Sequence, residues 1–227
     1  MTPADVCGAL AAAAGADPGE VALRCVGPGL YASPVALRRG MSAQVVAERV
    51  AASAGVAEVR VDGGFLTVRV ERPGDLLTWL VEAGPEPAPL ERASDAPVWP
   101  EWPRTFENPG FCVRYAYARA AGVRRQARDL GVDAGEPVGL DAEEELRLIG
   151  VLGEFPARVR QGSRPLRRYL ERLAGAYHDV HERCPALPKG EEKPGAVHAA
   201  RVTLAEATRI ALGSCLNTIG ETPRERI

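Results

Sequence analysis

The sequence predicts an α+β fold, with a small mixed unit first and an all-α helical bundle after it. Three observations carry this reading. Two short β-rich runs between positions 56 and 70 flank Asp62-Gly63-Gly64, a hairpin signal. Beyond position 108, four long stretches repeat apolar residues at helical spacing. Between these regions, residues 84–107 are too rich in proline for regular helix or central strand.

Taken in order, Ala4 to Ala14 reads as a short helix, ended by loop signals at Asp17-Pro18-Gly19. Val21 to Val26 reads as a strand. Tyr31 to Leu37 leads into helical sequence, and Ser42 is placed to cap a helix ending near Ala54. Val56 to Val61 and Phe65 to Val70 form the hairpin, and Asp75 to Ala83 closes a unit spanning 1–84. Residues 85–107 then form a spacer in which Trp99 and Trp102 stand among Pro97, Pro100 and Pro103. Both tryptophans are expected to pack onto a domain surface, since large apolar groups are rarely left bare together. A proline-motif ligand for a partner domain is the other reading of that stretch.

The bundle, 108–227, carries helical patterns at about 108–130, 141–161, 165–183 and 195–219. Asn108 caps the first, with Pro109 at the first helical position. Asp141 and Glu144 have the spacing of a capping box for the second, which Pro156 kinks or breaks. The third places Leu166, Tyr169, Leu170, Leu173, Ala174 and Tyr177 at bundle spacing. The last sets Val202, Ala205, Leu212, Cys215 and Leu216 on one side before Gly220.

The first bundle helix divides into three faces at about 100° per residue. Val113, Ala116, Ala120, Val123, Ala127 and Leu130 form an apolar stripe. Tyr115, Arg119 and Gly122 share a narrow arc beside it, and Arg114, Arg124, Arg125 and Arg128 gather on a third. Unpaired RNA bases are held by such a set: a ring to stack on, a planar donor for base edges, and charge for phosphates. Spacing alone equally allows partly buried tyrosines and arginines on a solvated face.

The chain has 227 residues, 46% of them hydrophobic, enough for a real core in one or two domains. No apolar run approaches the ~20 residues of a membrane span, and the start lacks a basic-then-apolar signal, so a cytoplasmic protein is expected. The five scattered cysteines read as small buried residues of a reducing compartment. A net charge of −2 argues against strong non-specific nucleic-acid binding. Its distribution is uneven, however: residues 1–103 carry −5 and residues 104–227 carry +3. Lysine occurs only at 189 and 193, so nearly all cations are arginines, which suit bidentate phosphate and base contacts.

The run Asn108-Pro109-Gly110-Phe111-Cys112-Val113-Arg114-Tyr115-Ala116-Tyr117-Ala118-Arg119 resembles the first helix of the DALR-type anticodon-binding domain of arginyl-tRNA synthetases. Arg168 to Ala174 and Arg201 to Arg209 are similar to that domain's third and last helices. Residues 1–84 resemble the N-terminal additional domain of the same enzymes, with Gly64-Phe65-Leu66 at the strand tip that meets the tRNA elbow. The resemblance implies that Phe65 stacks on an elbow nucleotide, beside Asp62 and Thr67 where some members carry amides. It implies that Tyr115 and Arg119 contact splayed anticodon bases, with Gly122 leaving room for one. Arg114 stands where the family usually has Gln, Tyr117 where it has His, and Ile227 where it ends in a Met near the anticodon. Arg114 and Arg125 would then add phosphate contacts.

In those enzymes a nucleotide-binding catalytic domain lies between the two blocks. Here the spacer is too short for a βαβ unit, and the chain contains no His-x-Gly-His, no Lys-Met-Ser-Lys and no phosphate-binding loop. The resemblance therefore implies a non-catalytic tRNA binder without a cofactor, serving a tRNA-dependent biosynthetic enzyme or a synthetase. The rival expectation is a protein-interaction scaffold or regulatory subunit that kept the fold and lost RNA.

Other chemistries are weaker. His178-x-x-His181-x-x-Cys184 has metal-binding residue types, but on a helix they step by about 60° around the axis, too splayed for three-point ligation. Glu143-Glu144-Glu145 is an acidic helix start favoured by the helix dipole. Ser33, Ser163 and Ser214 lack the context of a nucleophile elbow.

Overall fold

The computed structural model describes residues 1–82, 99–159 and 163–227. The chain divides into two compact units, Met1–Leu76 and Leu77–Ile227, and the fold is α+β.

In the first unit, helix α1 (Pro3–Ala14) opens on a capping box in which Thr2 and Asp5 satisfy each other's backbone amides. It stops at Gly15, which adopts the left-handed conformation glycine tolerates best. Strands β1 (Arg24–Gly27), β2 (Leu30–Ser33), β3 (Val56–Asp62) and β4 (Phe65–Val70) form one antiparallel sheet in the order β1-β2-β4-β3. Between β2 and β3 lie the short α2 (Val35–Arg38) and α3 (Ala43–Ala51). Tyr31 and Ser33 of β2 and Leu66, Val68 and Val70 of β4 face a core shared with Val6, Leu10, Val46 and Val50. The β3–β4 turn needs both its glycines. Gly63 and Gly64 have φ of 54° and 84°, and a Cβ on Gly64 would lie 2.6 Å from Leu37 Cδ2.

The hairpin is as expected, and three details differ. β2 lies where the sequence reads as an approach to helix: it forms a tight hairpin with β1, but its other edge is set by long-range pairing with β4, which leaves little local trace. β1 starts at Arg24, since a 3₁₀ turn at Pro18–Glu20 delays entry into the sheet. α3 ends at Ala51, and Ser42 makes no side-chain cap.

The division between the units falls within helix α4 (Asp75–Glu82), in which Leu76, Leu77 and Leu80 are buried. The expected spacer lies outside the described residues as far as position 98. Trp99 is buried against Gly110, where any Cβ would approach the Trp99 Cβ to 2.4 Å. Trp102 is instead 66% exposed, with the Arg104 guanidinium over its ring.

The second unit is a bundle of α5 (Pro109–Asp129), α6 (Glu143–Gly153), α7 (Phe155–Val159), α8 (Ser163–Arg183) and α9 (Ala196–Thr218). α5 packs on α8 and α9, and α6 packs on α8. Asn108 caps α5 as expected: its Oδ1 accepts from Gly110 N at 3.0 Å, and its Nδ2 donates to the carbonyls of Pro100 and Pro103. The apolar stripe of α5 is buried through Ala127, but Leu130 at its end is exposed. The expected second helix breaks at Glu154 into α6 and α7, two residues before Pro156. Its cap sits one residue late. Glu145, not Glu144, reaches back to the Ala142 amide, because Glu145 is also drawn inward by Arg201.

Candidate nucleic-acid interface

The half-buried arc of α5 meets α8 at a cluster of rings. Phe111 and Tyr115, one turn apart, stack with centroids 5.4 Å apart and planes 20° from parallel. Phe106, in the segment leading to Asn108, presents its edge to Phe111, Tyr115 and His178 at 6.1, 5.9 and 5.1 Å. Phe106 is 56% exposed, so the cluster opens to solvent.

Arg119 completes it. Its Cζ lies 4.4 Å from the Tyr115 ring centroid, within cation–π range. Its Nη1 lies 3.1 Å from His178 Nδ1 and 3.3 Å from Glu182 Oε1. A guanidinium only donates, so His178 Nδ1 accepts and its Nε2–H donates to the Cys112 carbonyl at 3.0 Å. Burial lowers the His178 pKa below its ordinary 6.5, and the Arg119 charge adds to this against the opposing bond to Cys112. The imidazole is therefore held neutral in one tautomer. Gly122, one turn beyond Arg119, has open space: a Cβ there would meet only Arg125 Nη2, at 3.8 Å. The expected trio of ring, guanidinium and gap is thus assembled on one side of the bundle.

The cationic stripe is arranged differently from its sequence expectation. Arg114 turns inward, its side chain 12% exposed, donating to both oxygens of Glu221 at 3.0 Å and to the carbonyls of Trp99 and Pro100. It anchors the tail that follows α9 and is not presented for a phosphate. Arg124 and Arg125 pair with Glu225 at 3.2 and 3.1 Å. Both partners in the tail lie about a hundred residues from α5, and no local pattern announces them. Ile227 is 43% exposed.

In the first unit, Phe65 is 48% exposed on the sheet face opposite the core, opposite Asp62 in register and two residues from Thr67. A core role for Phe65 is thereby excluded.

Sequence reasoning missed Phe106, Phe111, His178 and Glu182. Phe111 carries a signal, four residues before Tyr115 on the same face; His178 stands out in the sequence as a weak metal-ligand candidate, and the family resemblance gives its position a structural role. Its nitrogens are both engaged, and among the described residues no group of three potential ligands converges on a metal site.

Residues 113–227, which run from α5 to the tail, match the DALR anticodon binding domain. This chain belongs to that family. The DALR domain carries tRNA binding in general, and here it comprises the five bundle helices with the aromatic–guanidinium cluster on its first. No helix among the described residues is long and apolar enough to cross a membrane.

Proposed function

We propose that this protein is a non-catalytic binder of an arginine-class tRNA. The DALR domain holds the anticodon loop, and the N-terminal unit touches the elbow through Phe65. The observation that carries the reading is the Tyr115–Arg119–His178 arrangement: a partly exposed ring, a guanidinium fixed over it by a neutral imidazole, and an open glycine one turn on. Splayed bases stack on such rings and meet planar donors at their edges. The spacing of the two sequence blocks, with no room between them for a nucleotide-binding domain, supports a role without aminoacylation. Its product of evolution is then a tRNA-presenting or tRNA-sequestering protein that serves a cytoplasmic tRNA-dependent biosynthetic enzyme or a synthetase.

Sequencing the RNA that copurifies with the full chain tests this directly. Enrichment of arginine tRNAs, lost when their anticodons are exchanged in transcripts, is the expected result. Binding that weakens steeply with added salt marks phosphate contacts. No binding to any tRNA at low salt would leave the protein-scaffold reading in its place.

A further inference from the structure

An open basin of about 1160 Å³ lies between α6, α7 and α8. Its wall carries four arginines: Arg147 from α6, Arg158 from α7, and Arg168 and Arg172 from α8. Glu154, at the break between α6 and α7, binds Arg158 and Arg172 together, each at 2.8 Å. Burial pushes the Glu154 carboxyl up, but the hydrogen bonds from Arg172 and Arg158 outweigh it and keep the group ionised. One carboxylate thus positions two guanidiniums. Arg147 pairs with Asp179 on the rim at 3.1 Å. Arg168 is exposed and has no carboxylate partner among the described residues.

A second basin, about 480 Å³, lies beside the aromatic cluster, lined by Phe106, Cys112, His178 and the carboxylates of Glu171, Asp179 and Glu182. The two basins share Glu171 and Gly175. Gly175 is the saddle between them. It lies in the middle of α8, and a Cβ added there would meet nothing within 4 Å. Arg168, Arg172, Gly175 and Asp179 follow one face of α8 over about 16 Å. The chemistry changes along that face, from guanidiniums to carboxylates with rings. Guanidiniums match phosphates, and carboxylates accept from the amino and ring N–H groups of bases.

We propose that the arginine basin is a phosphodiester-binding site, and that a single RNA strand crosses α8 at Gly175 with its backbone there and an N–H-bearing base edge in the carboxylate basin. The proposal rests on the tRNA-binding reading and extends it to a surface on α6–α8. The strand passes close over the helix because residue 175 has no side chain.

The test compares the full chain with Gly175→Leu, Arg147→Glu/Arg168→Glu and Tyr115→Ala, by filter binding of a tRNA pool and by thermal melting. Leucine is a better helix former than glycine and meets open space, so G175L keeps or raises the melting temperature. The expected result is a tenfold or greater loss of affinity in G175L and in the double charge reversal, with the latter also flattening the salt dependence. Wild-type affinity in both variants, with Y115A impaired, overturns the proposal and leaves the tRNA reading standing. Failure of the wild-type chain to bind tRNA overturns both.

Discussion

Arg119 lies over Tyr115, its guanidinium carbon 4.4 Å from the ring centroid and one helical turn along α5. His178 and Glu182 hold the guanidinium in this place from α8. Truncating Tyr115 or Arg119 to alanine is expected to cost about 1–3 kcal/mol of tRNA affinity each. Tyr115→Phe retains stacking and most of the affinity. Arg119→Lys does not rescue, since an ammonium lacks the planar fork. Filter binding decides it; unchanged affinity in both alanine variants removes the pair from the site.

The parts of this site that were legible are local ones. Asn108 and Pro109 announce α5 by cap chemistry, and Tyr115, Arg119 and Gly122 fall together by helical period alone. The hairpin is equally legible, because Gly63 and Gly64 are required by the turn itself. What escaped depends on distant partners. β2 exists because it pairs on both edges, Arg114 turns inward because Glu221 awaits it, and the α6 cap slips because Arg201 recruits Glu145. Trp102 differs in kind: the neighbouring Arg104 lies over its ring, which stays largely exposed where burial was expected.

Glu225 occupies the cationic stripe of α5 by pairing with Arg124 and Arg125. All three side chains are about a third or more exposed, so Glu225→Gln should leave stability within about 0.5 kcal/mol. Removing this carboxylate's charge from beside two arginines of α5 should strengthen tRNA binding and steepen the slope of log affinity against log salt by roughly one, although Arg124 keeps Glu206 at 3.8 Å. An unchanged slope would show that the stripe faces away from the nucleic acid.

Burial lowers the pKa of both His178 and His181 from the ordinary 6.5, with the nearby Arg119 charge acting in the same direction. The unfolded chain therefore takes up protons at a higher pH than the folded one. Stability is whole above 6.5 and falls as pH drops through the depressed folded values. Thermal midpoints should be flat above about pH 7 and decline as the pH falls below about 6.5. His178→Gln can still accept from Arg119 and donate to the Cys112 carbonyl without titrating, so its profile should be flatter in that window. A wild-type profile without this decline is incompatible with neutral rings at His178 and His181.

Glu145 is the most deeply buried carboxylate of the bundle among the described residues, at 1% exposure. One oxygen accepts from Arg201 Nε at 2.6 Å and the other from the Ala142 amide at 3.0 Å, while Arg201 also donates to the Pro185 carbonyl. The pair thus ties the start of α6 to α9 and to the segment after α8. Glu145→Ala leaves a largely buried guanidinium unpaired and the helix start uncapped, at a cost of about 3–5 kcal/mol. For a unit of this size that is a fall of roughly 10 °C in melting temperature. Replacing both partners by methionine removes the stranded charge and should recover most of the loss, short of the cap and the Pro185 contact. If the double variant melts as low as Glu145→Ala alone, the damage comes from the lost cap and not from the unpaired arginine.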